Sequence, residues 1–98
     1  MFRSATEFNQ DISKWNTERV TSMYQTFHLA KKFNKPLNAW NVGRVTHMNG
    51  MFKTAEKFNK ELSNWNTLRV INMIGMFHYA YAFNQGETAE RRERNVFM

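Results

Sequence analysis

The side chains of this sequence best suited to chemistry are arginines that recur on a fixed step. Arg19, Arg44 and Arg69 stand 25 residues apart, and Arg94 follows loosely. A guanidinium stays charged at physiological pH and offers a rigid fork of donors to phosphate, sulfate or carboxylate groups. If successive units stack, the arginines lie in file at roughly 5–10 Å, the separations of paired strands and packed helices. That file is a candidate polyanion-binding strip. In a second reading each Arg covers a turn with its stem and pairs with a nearby acid such as Glu18. Asn16, Asn41 and Asn66 repeat on the same step. Stacked amides can form a ladder, satisfy turn backbone, or contact sugar hydroxyls. The candidate binding residues are therefore Arg19, Arg44, Arg69, Asn16, Asn41 and Asn66.

Other polar columns point less clearly to a ligand. Lys32 with Lys57, and Lys35 with Lys60, fall near the ends of the expected helices, where cations complement the helix dipole. His28 and His78 share a column with Lys53 between them and Arg3 before them, while His47 stands in another. Two histidines two units apart cannot share a metal ion, whose ligands lie ~2.0–2.1 Å away, and no metal site is expected. There is no cysteine, hence no disulfide framework and no thiolate site, which is compatible with either redox compartment. Gly43, Gly50, Gly75 and Gly86 form no phosphate-binding fingerprint, and no Ser-His-acid set or carboxylate pair appears. The expectation is a protein without catalytic residues or cofactor. Fourteen Lys and Arg against eight Asp and Glu give a net charge of +6. Such a balance favours acidic partners, and it is also an ordinary solubility device.

The elements that must hold these columns follow from the apolar residues. Phe2, Phe27, Phe52 and Phe77 keep the 25-residue step, as do Ala5, Ala30, Ala55 and Ala80, and Phe8, Phe33, Phe58 and Phe83. Asn9, Asn34, Asn59 and Asn84 follow, then Trp15, Trp40 and Trp65. A period of this length signals a stack of units that bury their apolar faces on one another. Met48, Met51, Phe52, Ala55 and Phe58 are spaced as one face of a helix. Helices are predicted at 22–33, 47–58 and 72–83, with a partial one at 1–8. Thr21, Thr46 and Asn72 serve as N-caps, and Asn34, Asn59 and Asn84 as C′ residues. Short strands are predicted around 13–16, 38–41 and 63–66. The fold class expected is α/β, a right-handed solenoid with one helix and one short parallel strand per turn. Packed helices need more room than paired strands, so the stack should bend into a horseshoe. The tryptophans should pile in file through the core.

The solenoid is expected over 1–85, with a partial repeat at 1–22 and units starting near 23, 48 and 73, and an irregular charged tail over 86–98. Met1-Phe2 corresponds to Met51-Phe52 in mid-repeat, so the chain reads as a fragment of a longer array. Residues 1–25 hold no run of seven or more apolar residues, so no secretory signal is expected there. No stretch reaches the ~20 apolar residues of a membrane span. Uncapped end units leave apolar surface and open edges, which predicts end-to-end self-association.

The pattern carried by Met51-Phe52, Ala55, Phe58-Asn59, Leu62, Trp65-Asn66, Val70 and Met73 resembles the BspA-like surface-protein repeat, a leucine-rich-repeat relative of bacterial surface lipoproteins. The resemblance covers Met1 to Gln85. It implies an extended repeat domain on a cell surface, used for attachment or protein contact. The function expected is a noncatalytic repeat module that contacts a protein or glycan. The alternative is a basic module that binds nucleic acid or acidic polysaccharide.

Overall fold

The path of the backbone is decided by residues in the left-handed region, two to a coil. One row is Gln25, Gly50 and Gly75, with φ of 52°, 65° and 69°. The other is Ser4, Leu29, Thr54 and Tyr79, with φ of 63°, 64°, 59° and 61°. An α-helix requires an unbroken run near φ −63°, so two left-handed residues four positions apart forbid one across the segment predicted helical. The computed structural model describes residues 2–84, and among them there is no helix.

The chain instead advances by linked turns. The carbonyl of Met23 accepts from the N–H of Thr26, Gln25 from His28, Phe27 from Ala30, and Ala30 from Phe33. A positive φ at the third residue gives the Met23–Thr26 and Phe27–Ala30 turns the signature of type II. The flipped central peptide of such a turn aims the N–H of its left-handed residue out of the turn and along the stack. Gln25 N–H donates to the carbonyl of Asn49 at 3.1 Å and Leu29 N–H to that of Lys53 at 2.9 Å. One coil on, Gly50 donates to Ile74 at 3.0 Å and Thr54 to His78 at 2.8 Å. Met23, Phe27, Met48 and Phe52 fill the alternate positions, donating to His47, Met51, Asn72 and Met76 at 2.8 Å each. In the other direction, Thr46 donates to Thr21 and Ile71 to Thr46, both at 2.8 Å. The extended structure amounts to isolated parallel bridges, Ser22 to His47 and His47 to Asn72.

These facts overturn the α/β assignment and, with it, the leucine-rich-repeat solenoid of one helix and one strand per turn. Neither the helices predicted at 22–33, 47–58, 72–83 and 1–8 nor the strands predicted at 13–16, 38–41 and 63–66 form. The physical reason is that a hydrogen-bonded turn also puts its first and fourth residues on one side. Met48–Met51, Phe52–Ala55, Ala55–Phe58 and Leu62–Trp65 are the two ends of such turns. Apolar spacing of three therefore fits a chain of turns as well as a helix. The proposed caps do other work. Asn72 Oδ1 accepts the N–H of Ile74 at 3.0 Å, and Thr46 Oγ1 donates to the Thr21 carbonyl at 3.2 Å. Without helices the mismatch behind the horseshoe disappears. Both phenylalanine files rise by 5.4–5.9 Å per coil. The radius of gyration is 12.0 Å, that of a compact chain of this length. The tail expected over 86–98 lies outside the described residues.

The interior is aromatic. Phe2, Phe27, Phe52 and Phe77 form one file, and Phe8, Phe33, Phe58 and Phe83 form a second. Within a coil the two rings lie 4.1–4.4 Å apart and nearly parallel. Such pairs add about 0.5–1.5 kcal/mol each beyond area burial. Met23, Met48, Met51, Ala30, Ala55, Leu37 and Val45 close the space around them. The tryptophans stand beside the files, each against a Phe, with centroid separations of 5.6, 6.1 and 6.4 Å. Trp40 Nε1 donates to the Ile12 carbonyl and Trp65 Nε1 to that of Leu37, both at 2.9 Å. Trp40 and Trp65 are buried, whereas Trp15 is 47% exposed, so the expected file of three buried indoles holds for two.

Candidate ligand groove

The arginine column sits on a turn that each coil repeats. Val20 donates its N–H to the Thr17 carbonyl, Val45 to Val42, and Val70 to Thr67, each at 3.0 Å. Val45 and Val70 point into the core and are buried. The arginine just before each valine therefore points outward, and Arg19, Arg44 and Arg69 are all exposed.

Asn16, Asn41 and Asn66 set the entrance to this turn. Their Oδ1 atoms accept the N–H of Glu18 at 3.1 Å, Gly43 at 2.9 Å and Leu68 at 3.1 Å. Each bond closes on its own coil, two residues on, which is an Asx-turn. Of the alternatives open for this row, the turn role is the one the geometry shows. The ladder between coils runs through Asn9, Asn34, Asn59 and Asn84 instead. Asn34 N–H donates to Asn9 Oδ1, Asn59 N–H to Asn34 Oδ1, and Asn84 N–H to Asn59 Oδ1, all at 2.9 Å. Thr17 Oγ1 adds a tie to the Asn41 carbonyl at 3.1 Å.

Between these turns lies an open groove of about 470 Å³, lined by Glu18, Asn41, Gly43, Arg44, Asn66, Leu68 and Arg69. It brings together four of the six residues singled out by spacing. Arg19 and Asn16 belong to the same rows but lie outside the lining. A Cβ at Gly43 would stand only 3.1 Å from Asn41 Oδ1, so glycine here spares the Asx-turn a close contact. Leu68 is the lining residue that the periodic reading passes over. It stands where earlier coils have Glu18 and Gly43, and that break in the column was its only signal.

Among the described residues no carboxylate lies within ion-pairing distance of Arg19, Arg44 or Arg69; the ion pair found is Lys32 Nζ with Glu7 Oε1 at 3.0 Å, between exposed side chains. The pairing considered between the arginines and Glu18 is not made, although Glu18 shares the groove. The guanidinium forks remain open to a ligand. Elsewhere, His28 in the Arg3–His28–Lys53 column has its pKa lowered, first by desolvation and then by Lys53 and Arg3. Among the described residues no three acids or histidines group as metal ligands, and no helix is long and apolar enough to cross a membrane.

A stack of 25-residue coils with an arginine-lined groove thus defines a repeat domain. The chain belongs to the family described as Mycoplasma protein of unknown function, DUF285, whose profile matches residues 1–90. No curated protein and no solved structure matches it.

Proposed function

We propose that this protein is a noncatalytic repeat module that contacts a protein or glycan through the groove at its arginine turns. The observation that carries the reading is the open groove in which Arg44 and Arg69 stand exposed, without a carboxylate partner among the described residues, between backbone turns fixed by Asn41 and Asn66. A preorganised backbone carrying free donors lowers the cost of ordering on binding. The resemblance of the repeat to BspA-like surface proteins supports attachment at a cell surface as its setting. The double variant R44A/R69A tests the site. Against an array of proteins and of neutral and acidic glycans, ligands of the wild type are expected to lose tenfold or more in affinity. Ligands that bind the variant unchanged would remove the groove from the account.

A second reading, polyanion binding, draws on the same guanidinium groups and the net charge of +6. Affinity for heparin or single-stranded nucleic acid should then fall steeply between two salt concentrations. Absence of binding at low salt would exclude it. Self-contact is a further proposal. The half-exposed Trp15 presents on the first coil the ring that Trp40 and Trp65 bury. Sedimentation velocity should show association rising with concentration, and a clean monomer throughout would contradict it.

A further inference from the structure

The groove continues into an apolar edge. Leu68, Ile71 and Ile74 follow one another at steps of three and are 79%, 74% and 65% exposed. Val70, Met73 and Met76, interleaved with them, are buried. The exposure therefore comes from the direction of the side chains, which point out of the stack. In earlier coils the same positions hold Glu18 and Gly43, Thr21 and Thr46, and Tyr24 and Asn49. One coil has thus turned a mostly polar edge aliphatic, and it does so beside Arg69, with Leu68 itself lining the groove.

The backbone N–H groups of this edge are already satisfied. Leu68 N–H donates to Asn66 Oδ1, Ile71 N–H to the Thr46 carbonyl, and Ile74 N–H to Asn72 Oδ1. With those donors taken, the edge meets a partner chiefly through its side chains. From Leu62 to Asn84 the sequence has no Asp or Glu and one Arg, Arg69, so this coil adds only positive charge to a groove that holds Arg44, Arg69 and one acid, Glu18.

Resting on the contact-module reading, we propose that the groove and this edge together bind a protein segment in which Asp or Glu side chains alternate with aliphatic or aromatic ones. The carboxylates meet Arg44 and Arg69, and the apolar side chains cover Leu68, Ile71 and Ile74. Branched aliphatic side chains offer nothing to sugar hydroxyls or phosphates, but they gain from burial against other apolar groups. The combination of free guanidinium groups with an aliphatic row selects a protein partner over a polysaccharide or a nucleic acid.

The test uses the full chain and four probes in fluorescence anisotropy. These are peptides alternating Asp or Glu with Leu, Ile or Phe, the same peptides with Lys for the acids, the same with Ser for the apolar residues, and heparin. Variant I71T/I74N installs residues that Thr46 and Asn49 already place at these positions, so the fold is kept. Acidic apolar peptides are expected to bind, with both substituted sets at least tenfold weaker. I71T/I74N should weaken the peptide at least tenfold and leave heparin unchanged, whereas R44A/R69A should weaken the peptide. Heparin binding that depends on Arg44 and Arg69, without peptide binding, would overturn this proposal and leave the groove as a contact site. Peptide binding indifferent to I71T/I74N would overturn it as well. Failure of every probe to depend on Arg44 and Arg69 would remove both readings.

Discussion

At the scale of single residues, glycine at two left-handed positions separates two costs. Gly75 has φ of 69° and open space where a Cβ would stand. Gly75→Ala therefore meets only the left-handed penalty, about 1–2 kcal/mol. Gly50 has φ of 65° and the Cγ of Gln25 only 3.1 Å from the Cβ position. Gly50→Ala is expected to cost more than Gly75→Ala, and urea midpoints for the two variants check the order. Thr54 lies in the other left-handed row at φ 59°, where a β-branched residue is strained. His28 gives a pH dependence. Its Nδ1 is buried without a partner, and its folded pKa lies below the unfolded one through desolvation, Lys53 and Arg3. The unfolded chain therefore takes up the proton first as pH falls below about 6.5. Stability contributed by neutral His28 is complete above that range and declines below it, until the folded pKa is reached. The difference in urea midpoint between wild type and His28→Gln should change between pH 7.5 and pH 5. A constant difference would show that His28 titrates alike in both states.

At the scale of elements, the coil is a chain of turns tied to its neighbours by backbone and asparagine. Asn34→Ala removes the oxygen that receives the N–H of Asn59. The expected loss is about 0.5–1.5 kcal/mol, the net worth of one such bond, read from thermal or urea unfolding. Asn41→Ala should act differently, loosening the turn at Gly43 and weakening ligand binding more than stability. This level also shows why the sequence misleads. The columns of Phe, Ala, Asn and Trp were legible because stacking in register demands one residue type per column. The element inside a column was not, because helix and linked turns share the i, i+3 spacing of Met48 and Met51, Phe52 and Ala55, and Ala55 and Phe58. Only the left-handed residues tell them apart. Gly50 and Gly75 hint at them, but Gln25, Leu29 and Thr54 carry no such mark. Both asparagine rows were visible too. The turn role of Asn16, Asn41 and Asn66 is one their spacing allows, whereas the C′ role of Asn34, Asn59 and Asn84 depends on a helix that does not form, and that row ties successive coils instead.

At the scale of the whole molecule, the site was legible in proportion to its periodicity. Arg44, Arg69, Asn41 and Asn66 meet in the groove as their common step requires. Leu68, Ile71 and Ile74 were passed over because they are departures from the repeat, and a column-by-column reading averages departures away. The turn-built stack is the claim on which the groove, its rigidity and its apolar edge all depend. Scalar coupling across hydrogen bonds, measured by NMR on the amide nitrogens of Leu29 and Thr54, tests it most directly. The expected couplings run from Leu29 to the carbonyl carbon of Lys53 and from Thr54 to that of His78. Couplings from Leu29 to Gln25 and from Thr54 to Gly50, four residues back, would mean a helix in each coil and would contradict the account.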